Sequence, residues 1–480
     1  MKIHKIVFIE PKAENLHIYS RYELPRLGSV LLATMAKNAG YDVEVLFVNE
    51  EEVYTGSIDC DFAAVTTITT TALSAYRICD YFRGKNIPVA IGGPHVSFLS
   101  DEAMEHADFC IVGEGETPFM QLLEALNSNK GLEGISNLIY KNNGKTVKNS
   151  MSNPECDLDT LPMPDISLVN KGKKKQKLGL FQNKMIPIQA SRGCPFDCTF
   201  CSVTGMFGKK YRFRSTEKII EELLQYDPKK NWIFFYDDNF AAHKKRTKEL
   251  LREMIKLDVK YKWSTQVRTD IAKDPELLDL MHKAGCRVVY VGLESVDSAV
   301  LKEMKKSQSA EDIEISVKAI RKKGIHVHGM FVFGFDADTP ETIATTARFA
   351  IDKKIDTVQF MVLTPLPGTP FYNKIEKEGR LLHHEWDKFD AHHITFEPKN
   401  ISAFDLQQAQ IEAHSRFYSI GNIFKRLLRG RFGSVIIGLY AHFLNKKWKK
   451  HEENYLSLLK NKLLMKTRVR EVKTVTQSVS

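Results

Sequence analysis

Three cysteines lie close together in the segment Ser191-Arg-Gly-Cys194-Pro-Phe-Asp-Cys198-Thr-Phe-Cys201. Their C-x3-C-x2-C spacing suits a short loop wrapped around one face of an iron–sulfur cluster. A structural metal site normally closes every position with a protein ligand, whereas three thiolates leave one iron open. An open iron favours a site where a substrate or cofactor binds, so the segment predicts catalysis.

The alternatives for these cysteines are a zinc knuckle, a disulfide pair or three unrelated core residues. Outside the loop the cysteines are scattered singly; they are Cys60, Cys79, Cys110, Cys156 and Cys286. Such usage fits a reducing compartment rather than a disulfide framework.

The cysteine segment resembles the cluster loop of the radical S-adenosylmethionine (radical SAM) enzymes, down to Phe200 and the lead-in Arg192-Gly193. The resemblance implies a 4Fe-4S cluster whose ligands are Cys194, Cys198 and Cys201. In that family the open iron chelates S-adenosylmethionine, and one electron from the reduced cluster cleaves the sulfonium to give a 5'-deoxyadenosyl radical. The radical abstracts hydrogen from substrate, and the electron comes from a donor such as flavodoxin or ferredoxin.

Length and composition set the outer bounds. With 480 residues, 43% hydrophobic and 27% charged, the chain is long enough for two domains and an extension. The net charge of +10 is concentrated in residues 171–177 and in the tail from Lys425 onward. Dispersed basic charge is usually a solvated surface, so we expect no nucleic-acid partner.

The expected location is the cytoplasm. Residues 5–9 resemble a buried strand rather than the apolar region of a signal peptide. The longest apolar run near the C-terminus, residues 432–444, is shorter than the roughly 20 residues that span a bilayer. Contact with the inner face of a membrane stays open.

Residues 1–145 are predicted to form a doubly wound, Rossmann-like parallel sheet, because short β-rich runs alternate with helical patterns. The predicted strands are 6–9, 43–47, 63–67, 89–91 and 109–112. Small residues follow three of them, in Thr66-Thr-Ile-Thr-Thr-Thr71, Gly92-Gly-Pro-His95 and Gly113-Glu-Gly-Glu116. Such residues let a large flat ligand approach the backbone.

This stretch resembles the cobalamin-binding domain that precedes the radical domain in one large subclass. The resemblance rests on three segments, Pro25-Arg-Leu-Gly28, Gly92-Gly-Pro-His95 and Gly113-Glu-Gly-Glu116. The residues it implies for cobalamin are Thr66, Thr67, Gly92, Gly93, Gly113 and Glu114. The chain departs from other cobalamin proteins after the first strand, where Glu10-Pro-Lys-Ala-Glu-Asn-Leu-His-Ile replaces the Asp-x-His-x-x-Gly signature. Cobalamin would thus bind without that histidine, or the domain has lost the cofactor.

Residues 186–370 are predicted to form a partial (β/α)6 TIM-like barrel with its site at the C-terminal strand ends. The predicted strands are 187–190, 232–236, 262–266, 288–291, 328–333 and 357–362. Thr339-Pro340-Glu341 resembles a helix start, with an N-cap threonine and proline at the first helical position. Residues 146–185 are expected to be a linker.

The radical SAM resemblance implies S-adenosylmethionine contacts at several of these strand ends. Asp237 and Asp238 stand where other branches carry a Gly-Gly-Glu that binds the ammonium, and a carboxylate suits that cation. Adjacent strand-end side chains point opposite ways, so only one of the two need serve. Arg268 could pair with the cofactor carboxylate, or form a salt bridge with Asp270 or Glu294. The remaining implied contacts are Glu294 or Ser295 at the ribose and Gly334 near the adenine.

Residues 371–468 are predicted to be a mainly helical C-terminal extension, and residues 469–480 a disordered tail. The pairs His383, His384 and His392, His393 are candidate metal ligands, but adjacent histidines in a loop diverge and we expect no metal there. Segments 423–432 and 443–450 combine bulky apolar residues with cations, which suits a bilayer interface or a helical lid with a solvated basic face.

The resulting hypothesis is a radical SAM enzyme with cobalamin that methylates an unactivated carbon of a small-molecule or lipid substrate. Radical cyclisation, coupling or rearrangement without methyl transfer is the nearest alternative. A methylthiotransferase is less consistent, because Cys60, Cys79 and Cys110 lack the expected first-loop position. A non-catalytic cobalamin-binding sensor is the alternative from another class.

Overall fold

The computed structural model describes residues 2–13, 24–152, 156–170, 184–306, 308–428, 430 and 432–461. The basic segment 171–177 and the predicted tail 469–480 lie outside this range. The chain divides into two compact units, the first with most residues up to Asp237 and the second with residues 197–201 and 238–480.

The first unit contains an eight-stranded, mostly parallel sheet. Its strands and helices are β1 Lys5–Pro11, α1 Leu27–Asn38, β2 Asp42–Val48, α2 Glu50–Thr55, β3 Phe62–Thr66, α3 Ala72–Gly84, β4 Val89–Gly92, α4 Pro94–Phe98, α5 Ser100–His106, β5 Phe109–Ile111, α6 Glu116–Ser128, β6 Leu138–Asn142, β7 Lys145–Lys148 and β8 Val169–Asn170. The strand order is β7-β6-β5-β4-β3-β1-β2-β8. The order reverses between β1 and β3, which is the point where doubly wound sheets bind ligands.

Apolar side chains on these strands explain the sheet's stability. Phe8, Phe62 and Phe119 are buried together with aliphatic side chains of β2, β4 and α6. Strands β1, β3, β4 and β5 are mostly continuous apolar runs, as expected where both faces of a sheet are covered. β6 and β7 are antiparallel, and β8 pairs with β2, so the sheet extends beyond residue 145.

A second sheet contains six parallel strands in the order β16-β15-β14-β13-β12-β9. The elements of this part are β9 Lys184–Ile188, β10 Ser191–Arg192, α7 Val203–Phe207, β11 Arg212–Phe213, α8 Thr216–Leu223, β12 Asn231–Phe235, α9 Lys244–Lys256, β13 Lys262–Val267, α10 Pro275–Lys283, β14 Cys286–Glu294, α11 Ser298–Glu303, α12 Ala310–Lys322, β15 His326–Phe333, α13 Pro340–Asp352 and β16 Thr357–Val362. Each predicted strand is present, with ends that differ by at most three residues. The predicted fold class, a doubly wound sheet followed by a partial barrel, is confirmed.

Helices follow the barrel strands. They are α14 Pro370–Lys377, α15 Ala403–Phe417, α16 Ile420–Leu428, α17 Phe432–His451 and α18 Glu453–Lys460. Among the described residues, no helix is long and apolar enough to cross a membrane.

A buried histidine joins the loop before α15 to the end of α17. His393 lies between two carboxylates, with Nδ1 2.9 Å from Asp390 Oδ2 and Nε2 3.2 Å from Glu452 Oε2. Burial favours the neutral ring, but the negative charge of Asp390 outweighs it and raises the pKa of His393 to about 9. His393 is therefore part of a buried ion network with Asp390 and Glu452.

We predict that this network makes stability depend on pH. The folded pKa of His393 lies above the unfolded value, so its contribution is complete below about pH 6.5 and is lost as pH rises through about 9. The free energy of unfolding should fall by about 1–3 kcal/mol across that window. His393→Gln should remove this slope in denaturant titrations, and exposed His384→Gln should keep it. A slope unchanged in His393→Gln would contradict the assignment.

Candidate functional site

The cysteine loop begins in a short hairpin. β10 pairs antiparallel with β11, with Arg192 opposite Arg212. Gly193 has φ +91°, and a Cβ there would lie 2.4 Å from the carbonyl oxygen of Lys210, so only glycine fits before the first cysteine. The hairpin fixes where the cysteine segment starts.

The three loop cysteines are accessible to solvent. Cys194, Cys198 and Cys201 are all partly exposed and none forms a disulfide. The Cys201 N–H donates to the Cys198 carbonyl oxygen at 3.2 Å, which makes a tight turn between two of them. Soft thiolates on one short accessible loop are the donors that an iron–sulfur cluster takes, so the donor chemistry fits.

No group of three or more His, Cys, Asp or Glu side chains is positioned to hold a metal ion in the part of the chain that the structure describes. Neither the three loop thiols nor the pairs His383, His384 and His392, His393 form such a group among these residues. The cluster loop is therefore indicated by cysteine spacing and accessibility rather than by converged ligands.

The adjacent carboxylates Asp237 and Asp238 differ in environment. Asp237 is buried and accepts hydrogen bonds from the Ser191 hydroxyl and, at 3.2 Å, from the Ala190 N–H, so it anchors the start of the cysteine loop. Asp238 is reached by solvent, yet surrounding protein raises the pKa of its carboxyl to about 6 through desolvation. With its pKa at about 6, the Asp238 carboxyl is still mostly ionised at neutral pH.

The end of β14 holds a buried ion pair. Glu294 has a left-handed backbone, φ +59°, at a register shift of the β14–β15 ladder. Its carboxylate pairs with Lys306, whose ammonium also donates to the Gly292 carbonyl oxygen at 2.8 Å. Ser295 accepts the Asp297 N–H at 3.1 Å. Glu294 is thus bound within the protein by a lysine that sequence reasoning missed.

Two further predicted contacts lie at turns after strands. Arg268 follows β13 and is half-buried. Gly334 follows β15 with φ +119°, and its N–H donates to Asp338 Oδ2 at 2.8 Å. Burial raises the pKa of Asp338 to about 6, against the lowering effect of these hydrogen bonds.

The ends of β3, β4 and β5 are brought together by backbone contacts. Gly93 has φ +106°, and a Cβ there would lie 2.4 Å from the carbonyl oxygen of Thr67. The Ser97 hydroxyl donates to the Gly93 carbonyl oxygen at 3.0 Å and accepts the Gly113 N–H at 2.9 Å. Small residues therefore let these turns approach each other. The cobalamin contacts implied for Thr66, Thr67, Gly92, Gly93 and Gly113 stay a prediction. Ser97 was missed, because a lone serine in a helix carries no distinctive signal.

Glu114 belongs to a buried cluster of four charges. Its carboxylate lies 2.8 Å from Arg192 Nη1 and also pairs with Arg212, and Glu116 lies 2.8 Å from Arg192 Nη1. The side chains of Glu114, Glu116 and Arg192 are less than a tenth exposed. The cluster connects the end of β5 to Arg192, two positions before Cys194. The Glu114 carboxylate, which the resemblance assigned to cobalamin, is therefore already paired with two arginines.

Two family models match the chain. The Radical SAM superfamily model matches residues 188–397, and the B12 binding domain model matches residues 16–123. The first contains all three loop cysteines, and the second contains the turns after β3, β4 and β5.

Curated relatives and solved structures are similar over most of the chain. Bacteriochlorophyllide d C-12(1)-methyltransferase of Chlorobaculum tepidum is 31% identical over 433 residues, 88% of this chain and 89% of the relative. Anaerobic magnesium-protoporphyrin IX monomethyl ester cyclase of Cereibacter sphaeroides is 26% identical over 449 residues, 89% and 72% of the two chains. The radical S-adenosylmethionine methyltransferase TsrM from Kitasatospora setae, solved with cobalamin and a 4Fe-4S cluster, superposes with a TM-score of 0.66 at 20% identity, covering 79% and 78%.

We predict that Glu114→Gln destabilises the protein and reduces cluster loading. Removing one charge from a buried ion pair costs about 3–5 kcal/mol, because the remaining partner stays desolvated. Denaturant unfolding and iron content after anaerobic reconstitution would measure both effects. The matched control Glu124→Gln, an exposed glutamate on α6 paired only with Lys130, should leave both unchanged. Equal unfolding of Glu114→Gln and the unmodified protein would contradict the role of the cluster.

Proposed function

Because this chain belongs to the radical SAM superfamily, with a B12-binding domain ahead of the radical domain, we propose that it catalyses cobalamin-dependent methylation of an unactivated carbon. The observation that carries the proposal is one chain with both cofactor domains, similar over 88% of its length to a methyltransferase. It is an enzyme that uses a 4Fe-4S cluster, S-adenosylmethionine and cobalamin. When bound, these cofactors supply a hydrogen-abstracting 5'-deoxyadenosyl radical and the transferred methyl group.

The residues of this chain position those cofactors. Cys194, Cys198 and Cys201 are the proposed cluster ligands, since they are the accessible thiols of the radical domain. For S-adenosylmethionine we favour Asp238 over Asp237, because Asp237 is occupied by Ser191 and Ala190. The ionised Asp238 carboxylate would offset the charge of a cofactor ammonium in a partly desolvated site.

Other proposed contacts follow from the strand ends. They are Arg268, Ser295 and Gly334 for S-adenosylmethionine, and Thr66, Thr67, Gly92, Gly93 and Gly113 for cobalamin. Glu294 and Glu114 act through the ion pairs that shape their turns. The proposed division keeps the radical domain at 186–370 and the extension at 371–468, while β7 and β8 extend the first domain to residue 170.

The substrate is a small molecule, and the similarity to a bacteriochlorophyllide methyltransferase supports a tetrapyrrole or another large apolar compound. We also propose a flavodoxin or ferredoxin as electron donor, a cytoplasmic location and contact with the inner face of the membrane. Radical ring closure is the second candidate, because a cyclase is 26% identical over 89% of the chain. Product mass separates the two, since methylation adds a methyl group from S-adenosylmethionine and cyclisation does not.

We predict that Cys198→Ala abolishes 5'-deoxyadenosine formation, because an incomplete cluster loop cannot deliver the electron that cleaves S-adenosylmethionine. Chromatography of anaerobic reactions with dithionite measures the product. Cys156→Ala is the matched control, since this partly exposed thiol lies outside the loop, and it should retain cleavage. Cleavage by Cys198→Ala at the control rate would refute the cluster assignment.

A further inference from the structure

The helix α16 presents an apolar stripe to solvent. Ile420, Phe424, Leu427 and Leu428 are separated by four, three and one residues, so they share one face of the helix. Leu428 is 73% exposed and Phe424 is 57% exposed. The opposite face of the helix packs against the protein, because Ile423 and Arg426 are buried.

The helix α17 has the same organisation. Ile436, Leu439 and Phe443 follow one another at spacings of three and four residues, and Phe443 is 65% exposed. Ala441, Leu444 and Trp448 are buried on the other side. The two helices pack closely where Gly438 meets Ile423, since a Cβ on the glycine would lie 3.1 Å from Ile423 Cγ1.

Seven exposed apolar side chains on two neighbouring helices are more than the scattered surface residues of an ordinary soluble protein. Both helices bury one face and leave another apolar face open to solvent. We call this open face the α16–α17 face, made of Ile420, Phe424, Leu427, Leu428, Ile436, Leu439 and Phe443.

Cations continue the apolar stripe. Lys446, Lys447 and Lys450 follow Phe443 by three, four and seven residues, so they extend its face toward the end of α17. None of them forms an ion pair with a carboxylate among the described residues, and Lys446, Lys447 and Lys450 are all exposed. Apolar side chains bordered by uncompensated lysines complement a surface that is both apolar and anionic.

A cavity of about 180 Å³ lies beside α16 and is rich in cations. Its lining includes Arg321, Lys354, Lys425 and Arg426, against the carboxylates Asp352 and Asp356. Arg321 is paired with Asp356 at 3.3 Å, and Arg426 donates to the Phe417 carbonyl oxygen at 3.2 Å.

Two lysines of this cavity remain for a ligand. Lys354 and Lys425 have no carboxylate at ion-pair distance in the part of the chain that the structure describes, and Ser434 is another residue of the lining. Two ammonium groups suit a phosphate group.

We propose that the α16–α17 face docks on a bilayer that contains anionic phospholipid, with a headgroup phosphate bound in the cavity between Lys354 and Lys425. The inference rests on the membrane contact proposed above and names the surface that makes it. Apolar side chains would enter the acyl boundary while the lysines contact anionic headgroups. A second copy of the chain fits less well, because a two-fold contact would pair this lysine-bordered face with itself, so that both surfaces carry positive charge.

Sedimentation of the full chain with vesicles tests this directly. One set of vesicles is phosphatidylcholine alone, and in the other part of it is replaced by phosphatidylglycerol. The protein should sediment with the anionic vesicles at low salt and be released at high salt. Equal sedimentation with both sets of vesicles overturns the proposal. Failure to sediment with the anionic vesicles at low salt also overturns it.

Three variants separate the contributions. Phe424→Ser with Leu428→Ser should weaken binding at least about tenfold, because two large side chains no longer leave water. Lys446→Gln with Lys447→Gln should weaken it by about fivefold per lysine. Lys354→Gln with Lys425→Gln should reduce the preference for phosphatidylglycerol, which tests the cavity.

Controls keep the test specific. The controls are Ile315→Ser and Lys322→Gln on α12, away from the α16–α17 face; Ile315 is 55% exposed. Both variants should bind vesicles as the unmodified chain does. If the double variant Phe424→Ser with Leu428→Ser binds vesicles as well as Ile315→Ser does, the proposal is overturned. It is also overturned if the unmodified chain is a dimer in analytical ultracentrifugation and this double variant is a monomer. All variants should form 5'-deoxyadenosine at the unmodified rate, so failed docking is distinguishable from failure of the proposed enzymatic function.

Discussion

The cluster of Glu114, Glu116, Arg192 and Arg212 is the constraint on which the reactive part of the molecule depends. It joins the turn after β5, where the first sheet offers small residues to a ligand, to the strand that leads into Cys194. Two carboxylates and two guanidiniums offset one another, so the protein can bury them with little net charge. Buried charge pairs also tolerate little rearrangement, because separating them leaves a desolvated ion. The turn after β5 and the residues that precede Cys194 are thereby joined within the first compact unit.

Several turns in both units have polar groups that are already paired within the protein. Gly193 cannot accept a side chain beside Lys210, Glu294 has a left-handed backbone and pairs with Lys306, and Gly334 donates its N–H to Asp338. Such turns are costly to distort, which suits enzymes that must keep a reactive radical in one orientation. In the C-terminal extension, His393 and its two carboxylates tie α17 to the loop before α15 in the same way.

Much of the fold could be predicted from the sequence, because strand, helix and turn patterns are local. Strands β1 to β5 of the first sheet, all six strands of the second and the helix start at Thr339-Pro340 are present as predicted, whereas the antiparallel strands β6 and β7 were not predicted. The strand β8 was not predicted, because a two-residue strand has no periodicity and forms only by pairing with β2. The roles of Glu114 and Lys306 depend on partners 78 and 12 residues away along the chain. No sequence pattern identifies such partners, whereas the cysteine spacing indicates the cluster because its ligands are close in sequence.

The most direct test of the account is corrinoid binding and S-adenosylmethionine cleavage measured together on one preparation. The protein would be reconstituted anaerobically with iron, sulfide and hydroxocobalamin, passed through a desalting column and given S-adenosylmethionine with dithionite. The account predicts one bound corrinoid per chain in the visible spectrum and 5'-deoxyadenosine in the same sample. Cleavage without bound corrinoid would contradict the cobalamin-dependent methylation proposed for this chain, and the absence of both would contradict its function as a radical enzyme.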